Sequence, residues 1–331
     1  MTTIQRPTAS LGRLARVLGE AAGRLIVVGD EKGPATFELE NTEFLSLADQ
    51  QRLSFELARA LPVSHYSRKN LGYLSAMRQG ACCIYETDDD NAPQDNWKPR
   101  EQTVTAATIS EKGWVNVYRF FGEGRIWPRG FPLDALNGSG RKSLEAAGKP
   151  IPVQSPIQQG LANNSPDVDA VWRLLFDGPF NFESNGSIYL SPGSWCPFNS
   201  QSTWWWPVAY PLLYLPSHCT FRMTDIWRSF IAQRCVWELG LCVVFHGAEV
   251  SQQRNVHNLM RDFTDEVPGY TRNREMVEIL EGLTLARGAA EVANNMMICY
   301  QRLIEAGFFP AREIDLLSAW LHDVKHAASC G

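Results

Sequence analysis

Four carboxylates lie within residues 86–90, the segment Glu-Thr-Asp-Asp-Asp. They follow residues 81–85, an apolar run that is typical of a buried strand in a parallel sheet. Ligands of open α/β sheets bind beside the carboxyl ends of the strands. Asp88 and Asp90 offer the hard oxygen ligands that Mg²⁺ or Mn²⁺ takes alongside a diphosphate. The segment therefore predicts a metal and phosphate site, and a solvated acidic loop is the alternative.

Two cations, Arg68 and Lys69, precede this strand at the start of a predicted helix. The helix ends at Gly80, where a left-handed C-terminal cap is expected. Its apolar face is given by residues three apart, Leu71, Leu74 and Met77. The two cations are candidates to neutralise the same phosphates. A solvated helix start explains either one alone equally well.

The composition bounds the remaining function classes. The chain has 331 residues, of which 44% are hydrophobic and 20% charged, and its net charge is −5. This balance favours one large or two modest globular domains and gives no footprint for nucleic-acid binding. No apolar run reaches the roughly 20 residues of a membrane-spanning helix, so a cytoplasmic location is expected. The glycine motifs of dinucleotide-binding and P-loop proteins are absent from the sequence.

The order of elements predicts a Rossmann-like sheet. Residues 1–24 form an amphipathic helix, and residues 25–28 form a first buried strand that ends in a polar loop with Asp30 and Lys32. A helical segment, the helix at Arg68 and the strand before the acidic segment then give the order of a nucleotide-binding half-domain. From residue 273 the pattern is helical to the end, so residues 271–331 form a helical extension behind a domain of residues 25–270.

A proline-rich loop around Arg129 follows a predicted strand at residues 115–120. Two prolines and a glycine make the loop rigid, and a structural arginine that bonds backbone carbonyls is one interpretation of Arg129. Further along, Asp167 and Asp169 are candidate carboxylates of a second site. Asp167 also suits the N-cap of the helix that follows it.

Aromatic residues crowd into the segment from Trp195 to Tyr214. Stacking of an acceptor sugar is one interpretation, with residues 204–206 as the best candidates. A buried core or a subunit contact is the other, because aromatic side chains dominate both. A homo-oligomer formed through this surface or through the C-terminal helices follows as an expectation.

Two segments resemble the STELLO-type family of glycosyltransferases. Residues 67–91 read SRKNLGYLSAMRQGACCIYETDDDN, and in the family an RKN-GYL helix leads into a strand and a DDDN motif. Residues 221–229 read FRMTDIWRS and match the family's FR-TDIWRS pattern. More distantly, the chain is similar to the reversibly glycosylated polypeptides, which include UDP-arabinopyranose mutases. The resemblance extends over about residues 25–270.

The resemblance implies a GT-A fold, a Rossmann-like nucleotide-sugar-binding sheet flanked by helices. It implies a UDP-sugar donor, an acceptor of unknown nature, and Mn²⁺ or Mg²⁺ held by Asp88 and Asp90. Asp89 and the late histidine His257 are weaker metal candidates.

The remaining roles implied by the resemblance concern the donor and the acceptor. Asp30 and Lys32 would contact the nucleotide of the donor. Arg129 matches the arginine of the RGYP loop in the more distant relatives and would contact phosphate or sugar. Asp225 would orient or deprotonate the acceptor hydroxyl, with Arg228 as a supporting phosphate contact beside Arg68 and Lys69. A helix N-cap is the alternative for Asp225.

Two other functions stay open at this stage. A nucleotide-sugar mutase is suggested by the loop around Arg129. A non-catalytic interaction protein that keeps a nucleotide-sugar fold would use the aromatic segment and the C-terminal helices instead.

Overall fold

The computed structural model describes residues 1–137, 147–176, 178–183, 185–254 and 258–328. Ten α-helices lie in this part of the chain. They are α1 (Ala9–Glu20), α2 (Leu47–Arg52), α3 (Glu56–Ala60), α4 (Lys69–Arg78), α5 (Tyr118–Phe121), α6 (Ala170–Leu175), α7 (Thr224–Trp237), α8 (Leu259–Glu281), α9 (Val292–Glu305) and α10 (Glu313–Ala328).

Twelve strands are described in the same ranges. They are β1 (Leu25–Val28), β2 (Thr42–Leu45), β3 (Ile84–Thr87), β4 (Asn91–Pro93), β5 (Thr103–Ile109), β6 (Gly113–Trp114), β7 (Ile151–Gln154), β8 (Ile157–Asn163), β9 (Ser187–Leu190), β10 (Ser194–Trp195), β11 (Ser202–Trp205) and β12 (Val243–Gln252).

A mixed sheet in the order β3-β11-β8-β12-β9-β5-β7 forms the centre of the molecule, and β4 pairs with β12. The strands β8 and β12 are parallel, whereas β11 is antiparallel to both of its neighbours, β3 and β8. It follows that β3, β8 and β12 run in one direction and end at the same edge of the sheet. The predicted sheet flanked by helices is confirmed at this level, as a mixed α/β architecture compatible with a glycosyltransferase fold.

Two strand predictions were wrong in detail. The strand before the acidic segment is β3, which lies at the edge of the sheet and pairs antiparallel, and Cys82 before it is exposed. The first strand, β1, lies outside the central sheet: it pairs with β2, and an isolated bridge joins its Val28 to Thr2. An apolar run shows that a strand is covered, but it does not fix the neighbour that covers it.

The predicted strand at residues 115–120 is also wrong, because this segment turns into α5. Val117 and Tyr118 are both buried there. Their side chains reach the core from successive positions of a helical turn, which the alternation of apolar residues mimics over so short a stretch.

The C-terminal helices pack into the same core as the sheet. One cluster of buried side chains extends from Leu53 to Ala327. The Asp323 carboxylate of α10 accepts hydrogen bonds from the amides of Glu56 (3.0 Å) and Leu57 (2.8 Å) at the start of α3. The predicted boundary at residues 270 and 271 lies within α8. None of the helices in the described ranges is long and apolar enough to cross a membrane.

Gly130 holds the loop beside Arg129 in a conformation that other residues avoid. Its φ is +88°, and a Cβ would lie 2.4 Å from Cγ2 of Ile226. Gly130→Ala is therefore expected to lower the free energy of unfolding by about 2 to 4 kcal/mol, from backbone strain and overpacking together. Urea denaturation followed by tryptophan fluorescence measures it.

The matched control is Gly240→Ala. Gly240 has a φ of +70° but nothing within 4 Å of a Cβ, so the change is expected to cost only about 1 kcal/mol of backbone strain. Equal losses in the two variants would mean that the contact with Ile226 adds nothing.

Candidate functional site

A cavity of about 80 Å³ opens at the edge of the sheet where β3, β8 and β12 end. Its walls carry three carboxylates and two guanidinium groups among mostly polar side chains. The lining residues are Tyr66, Asp88, Arg129, Asp167, Asn199, Ser200, Gln201, Phe221, Arg222, Asp225 and Gln252.

The strand ends position most of this wall. Asp88 follows β3, Asp167 lies in the loop after β8, and Gln252 is the last residue of β12. Residues 199–201 precede β11, which runs the opposite way, so its start meets the other strands' ends. The predicted placement of the acidic segment beside a ligand-binding sheet edge fits this geometry.

Arg129 lies at the centre of the wall and all five of its N–H groups have acceptors. Its Nε and Nη2 donate to Asp167 (2.8 Å each), and Nη1 and Nη2 donate to Asp225 (3.0 Å each). The fifth bond goes to the carbonyl of Arg222. The guanidinium therefore has no donor left for a phosphate or a sugar, and the structural interpretation of Arg129 replaces the predicted donor contact.

Asp225 is buried and accepts four hydrogen bonds, two from Arg129 and two from the amide and hydroxyl of Ser200 (3.1 and 3.2 Å). Burial opposes ionisation, but Arg129, Arg228 and the Ser200 amide outweigh it and hold the pKa of Asp225 well below its usual range. So acidic a carboxylic acid is a weak proton acceptor at neutral pH. The alternative for Asp225 was the N-cap of α7. Asp225 lies instead in the first turn of that helix, and its carboxylate lines the cavity.

Lys69 is fully buried behind Asp88. Its ammonium donates to Asp88 Oδ1 (2.8 Å), to the hydroxyl of Tyr66 (3.0 Å) and to the carbonyl of Ser200 (3.1 Å). These three bonds use all three of its N–H donors. Lys69 thus fixes the first carboxylate of the acidic segment and acts on a ligand only through it.

A second buried ion pair lies below the cavity. Glu86 Oε1 accepts from Arg228 (2.8 Å) and lies 4.0 Å from the Lys69 ammonium, while Oε2 accepts from Trp205 (3.0 Å). Arg228 is 1% exposed and stacks on the Trp205 ring. Arg228 does not line the cavity, so the predicted phosphate contact is replaced by a structural pair with Glu86.

The three aspartates of the acidic segment diverge. Asp89 accepts from the Thr3 hydroxyl (2.5 Å), and Asp90 accepts from Gln252 (2.9 Å). In the part of the chain that the structure describes, no group of three or more His, Cys, Asp or Glu side chains is gathered for a metal ion. His257 lies outside the described residues.

Two carboxylates nevertheless fit a cation. Within the described ranges no hydrogen-bond partner is found for Oδ2 of Asp88, whose side chain is 32% exposed. Burial, and next the charge of Asp88, raise the pKa of Asp90 to about 7, which marks a carboxylate without a neutralising partner. Asp88 and Asp90 are the residues that would hold a divalent ion, since such ions often use one or two carboxylates plus the phosphates of the substrate.

Three other predicted donor residues lie outside the cavity wall. Asp30 accepts from the amides of Ser64 (2.7 Å) and His65 (2.9 Å), and so it shapes the loop that leads to Tyr66. Arg68 is buried and donates to Gln50 (2.7 Å) and to backbone carbonyls. Lys32 lies exposed in a turn. The solvated or structural alternatives explain these three residues in this structure.

The aromatic segment is core. Trp204, Trp205 and Trp206 are each less than 9% exposed. Trp204 packs between Tyr85 and Trp97, and Trp205 packs under Arg228. These three tryptophans therefore follow the buried-core interpretation, and the homo-oligomer stays a prediction.

Some site residues escaped the sequence analysis, chiefly Tyr66, Ser200, Arg222 and Gln252. Arg222 lies within the motif at residues 221–229, and Tyr66 directly precedes the motif at residues 67–91, so the motifs themselves are the signal that could have found them. Ser200 had no signal, because it reaches the cavity through the antiparallel strand β11. Asp167 and Asp169, the carboxylates predicted for a second site, have different roles in the structure. Asp167 lines the cavity, and Asp169, not Asp167, is the N-cap of α6.

Asp169 makes stability depend on pH. It is buried, accepts from the indole of Trp127 (2.6 Å) and the amide of Trp172 (2.7 Å), and burial raises its pKa to about 7. The folded state then binds a proton that the unfolded state releases near pH 4, so stability falls as pH rises from about 4 to 7.

Replacement of Asp169 by asparagine is expected to remove this slope. The free energy of unfolding of Asp169→Asn minus that of the wild type should rise by about 2 kcal/mol between pH 5 and pH 8. Urea denaturation at both pH values measures the difference. A difference that is independent of pH would show that Asp169 is ionised in the folded protein throughout.

The fold and the cavity define an α/β protein with a charged ligand site at a sheet edge, a placement typical of nucleotide-binding enzymes. Residues 222–329 match the family model described as STELLO glycosyltransferases, which covers α7 to α10. The resemblance to STELLO-type glycosyltransferases is thereby confirmed as a similarity.

Two curated relatives from Arabidopsis thaliana extend the similarity over nearly the whole chain. "Probable glycosyltransferase STELLO2" is 26% identical over 348 residues, which cover 98% of this chain and 44% of the relative. "Probable glycosyltransferase STELLO1" is 26% identical over 342 residues, which cover 96% of this chain and 43% of the relative. The chain thus spans less than half of the length of these relatives.

Proposed function

We propose that the cavity binds the diphosphate of a nucleotide-sugar donor, most simply a UDP-sugar, and that the sugar passes to an acceptor hydroxyl. The supporting observation is the convergence of Asp88 from the acidic segment with Asp167 and Asp225 in one cavity, in a chain similar to STELLO glycosyltransferases. The wall holds three carboxylates against two guanidinium groups, so a diphosphate needs an added cation there. This charge balance favours a metal-dependent reaction.

A divalent ion held by Asp88 and Asp90 would neutralise the leaving diphosphate. Lys69 and Tyr66 orient Asp88 for that role, since both donate to its Oδ1. Preorganised ligands of this kind need no rearrangement when charge develops on the leaving group.

Asp225 faces the same cavity from the start of α7. Because Arg129 keeps it ionised, its role in the proposal is to accept a hydrogen bond from the acceptor hydroxyl and so aim it, in preference to removing the proton. Asp167 is held beside it by the same guanidinium.

Calorimetric titration with UDP tests the proposal. With Mn²⁺ present we expect binding in the micromolar range, and at least tenfold weaker binding with a chelator or in Asp90→Asn, because the metal loses a ligand. Asp95→Asn is the matched control: the Asp95 side chain is 99% exposed and only five residues away. Its affinity should equal that of the wild type.

The outcomes separate the alternatives. No binding of UDP in any condition would leave the interaction-protein interpretation and remove the transferase. The mutase interpretation has lost its structural support, since the guanidinium of Arg129 is saturated by Asp167, Asp225 and the carbonyl of Arg222. Conversion of a UDP-pentose without an acceptor would restore it.

A further inference from the structure

A second, larger cavity of about 370 Å³ lies beside the first. It uses the next residues of the same strand ends: Ser165 precedes Asp167 after β8, and Gln253 and Arg254 follow Gln252 after β12. The ring of Trp172 on α6 and the ring of Phe176, which directly follows α6, form an apolar part of the wall. Its volume lies in the range of small-molecule sites.

The described residues give the wall of this second cavity a charge opposite to that of the first. Among the described lining residues, the ionisable ones are Arg173 and Arg254, and no carboxylate contributes to the wall. Arg254 is paired with Asp262 (2.6 Å) behind the wall.

Within the described ranges, the hydrogen-bond acceptors of Arg173 are all uncharged. It donates to the hydroxyl of Ser165 (3.1 Å) and to the carbonyl of Pro166 (2.5 Å), and its Nε is buried without an acceptor. Burial, and next the charge of Arg254, lower its pKa to about 10, so the guanidinium stays charged at neutral pH. Among the described residues Asp167 and Glu266 act on this half-buried cation only from beyond salt-bridge distance. An anionic ligand in contact with it would therefore relieve part of the cost of burying the charge.

We propose that this cavity is the acceptor subsite and that it takes an acceptor carrying an anionic group, a carboxylate or a phosphate, bound by Arg173 and Arg254. The assignment as an acceptor subsite rests on the proposed function, whereas the assignment as an anion site depends only on the residues of this cavity. The charges of the two cavities interact, because Asp167 and Arg222 in the wall of the first cavity both influence the pKa of Arg173 in the second. An acceptor anchored here by its anion can present a hydroxyl toward Asp225.

Titrations of the whole chain with inorganic phosphate, D-glucuronate and D-glucose test the subsite. We expect phosphate or glucuronate to bind with a dissociation constant of about 1 to 10 mM, and glucose at least tenfold more weakly, because it lacks the charge. The tighter of the two anions identifies the acceptor chemistry, phosphate ester or carboxylate. No anion binding would overturn the proposal.

Arg173→Gln is expected to weaken anion binding at least tenfold, and Arg173→Lys should keep it within about threefold, since the charge remains. The control Arg302→Gln removes an exposed arginine of α9 and should change nothing. Thermal unfolding monitors folding of each variant, and Arg173→Lys serves as the folded variant if Arg173→Gln is unstable. Anion binding that Arg173→Gln leaves intact would place the site elsewhere and overturn the assignment.

UDP with Mn²⁺ is the second ligand of the same experiment. Its affinity should be equal in the wild type and in Arg173→Gln. An equal loss for UDP would show that the second cavity belongs to the donor and would overturn the acceptor assignment. A wild type that binds the anions but not UDP would contradict the proposed function and keep the anion site.

Discussion

Replacement of Arg129 by methionine is expected to lower the free energy of unfolding by about 3 to 5 kcal/mol. The guanidinium is 6% exposed and neutralises two carboxylates that are themselves nearly buried, Asp167 and Asp225. Removal of one partner from a buried ion pair leaves uncompensated charge, and that costs far more than the pair itself contributes. Urea denaturation at pH 7, followed by tryptophan fluorescence, measures the loss.

The matched control is Arg274→Met, which breaks an ion pair with Asp134 at the surface. These side chains are 44% and 70% exposed, so the expected loss is below about 1 kcal/mol. A loss of similar size for Arg129→Met would contradict the burial that the structure gives to this network.

The second large effect concerns Glu86 and Arg228. Glu86→Gln is expected to cost about 3 to 5 kcal/mol, because Arg228 loses its carboxylate partner while Nε and Nη2 already lack acceptors. Lys69 loses a charge 4.0 Å away as well. Glutamate and glutamine have nearly the same shape, so altered packing contributes little to the loss of free energy of unfolding.

A double-mutant cycle isolates the pair. Arg228→Met alone should also be strongly destabilising, because the buried Glu86 then loses its guanidinium partner and keeps the hydroxyl of Tyr73, the indole of Trp205 and the Lys69 ammonium 4.0 Å away. The double variant Glu86→Gln with Arg228→Met should lose at least about 2 kcal/mol less than the sum of the single losses. Additive losses would mean that the two residues do not interact.

The sequence predicts local features of this protein well. The C-terminal part is helical, although α8 begins at Leu259 and not near residue 273. The helix that starts at Lys69 and its glycine cap are where periodicity and capping residues put them. These features depend on neighbours along the chain. The acidic segment was likewise expected after a strand, and Asp88 does line the cavity.

Partners of the charged residues could not be predicted in the same way. Arg129 meets Asp225 across 96 positions of the chain, and Arg228 meets Glu86 across 142. The local sequence does not distinguish an arginine that forms a buried ion pair from an arginine that binds a phosphate ligand. Only the tertiary structure tells which acceptors fill the guanidinium, and here it assigned Arg68, Arg129 and Arg228 to structural bonds.

The strand order of the central sheet also bears on how the chain is made. β3 pairs with β11, and Trp205 donates to Glu86 from 119 residues further along. A ribosome needs on the order of ten seconds to synthesise that interval, and β12 emerges later still. Throughout this time β3 lacks its partner strand, so the nascent chain is exposed to aggregation before its central sheet is complete. Slow synthesis at low temperature and abundant chaperones are the conditions under which production of this protein should improve most.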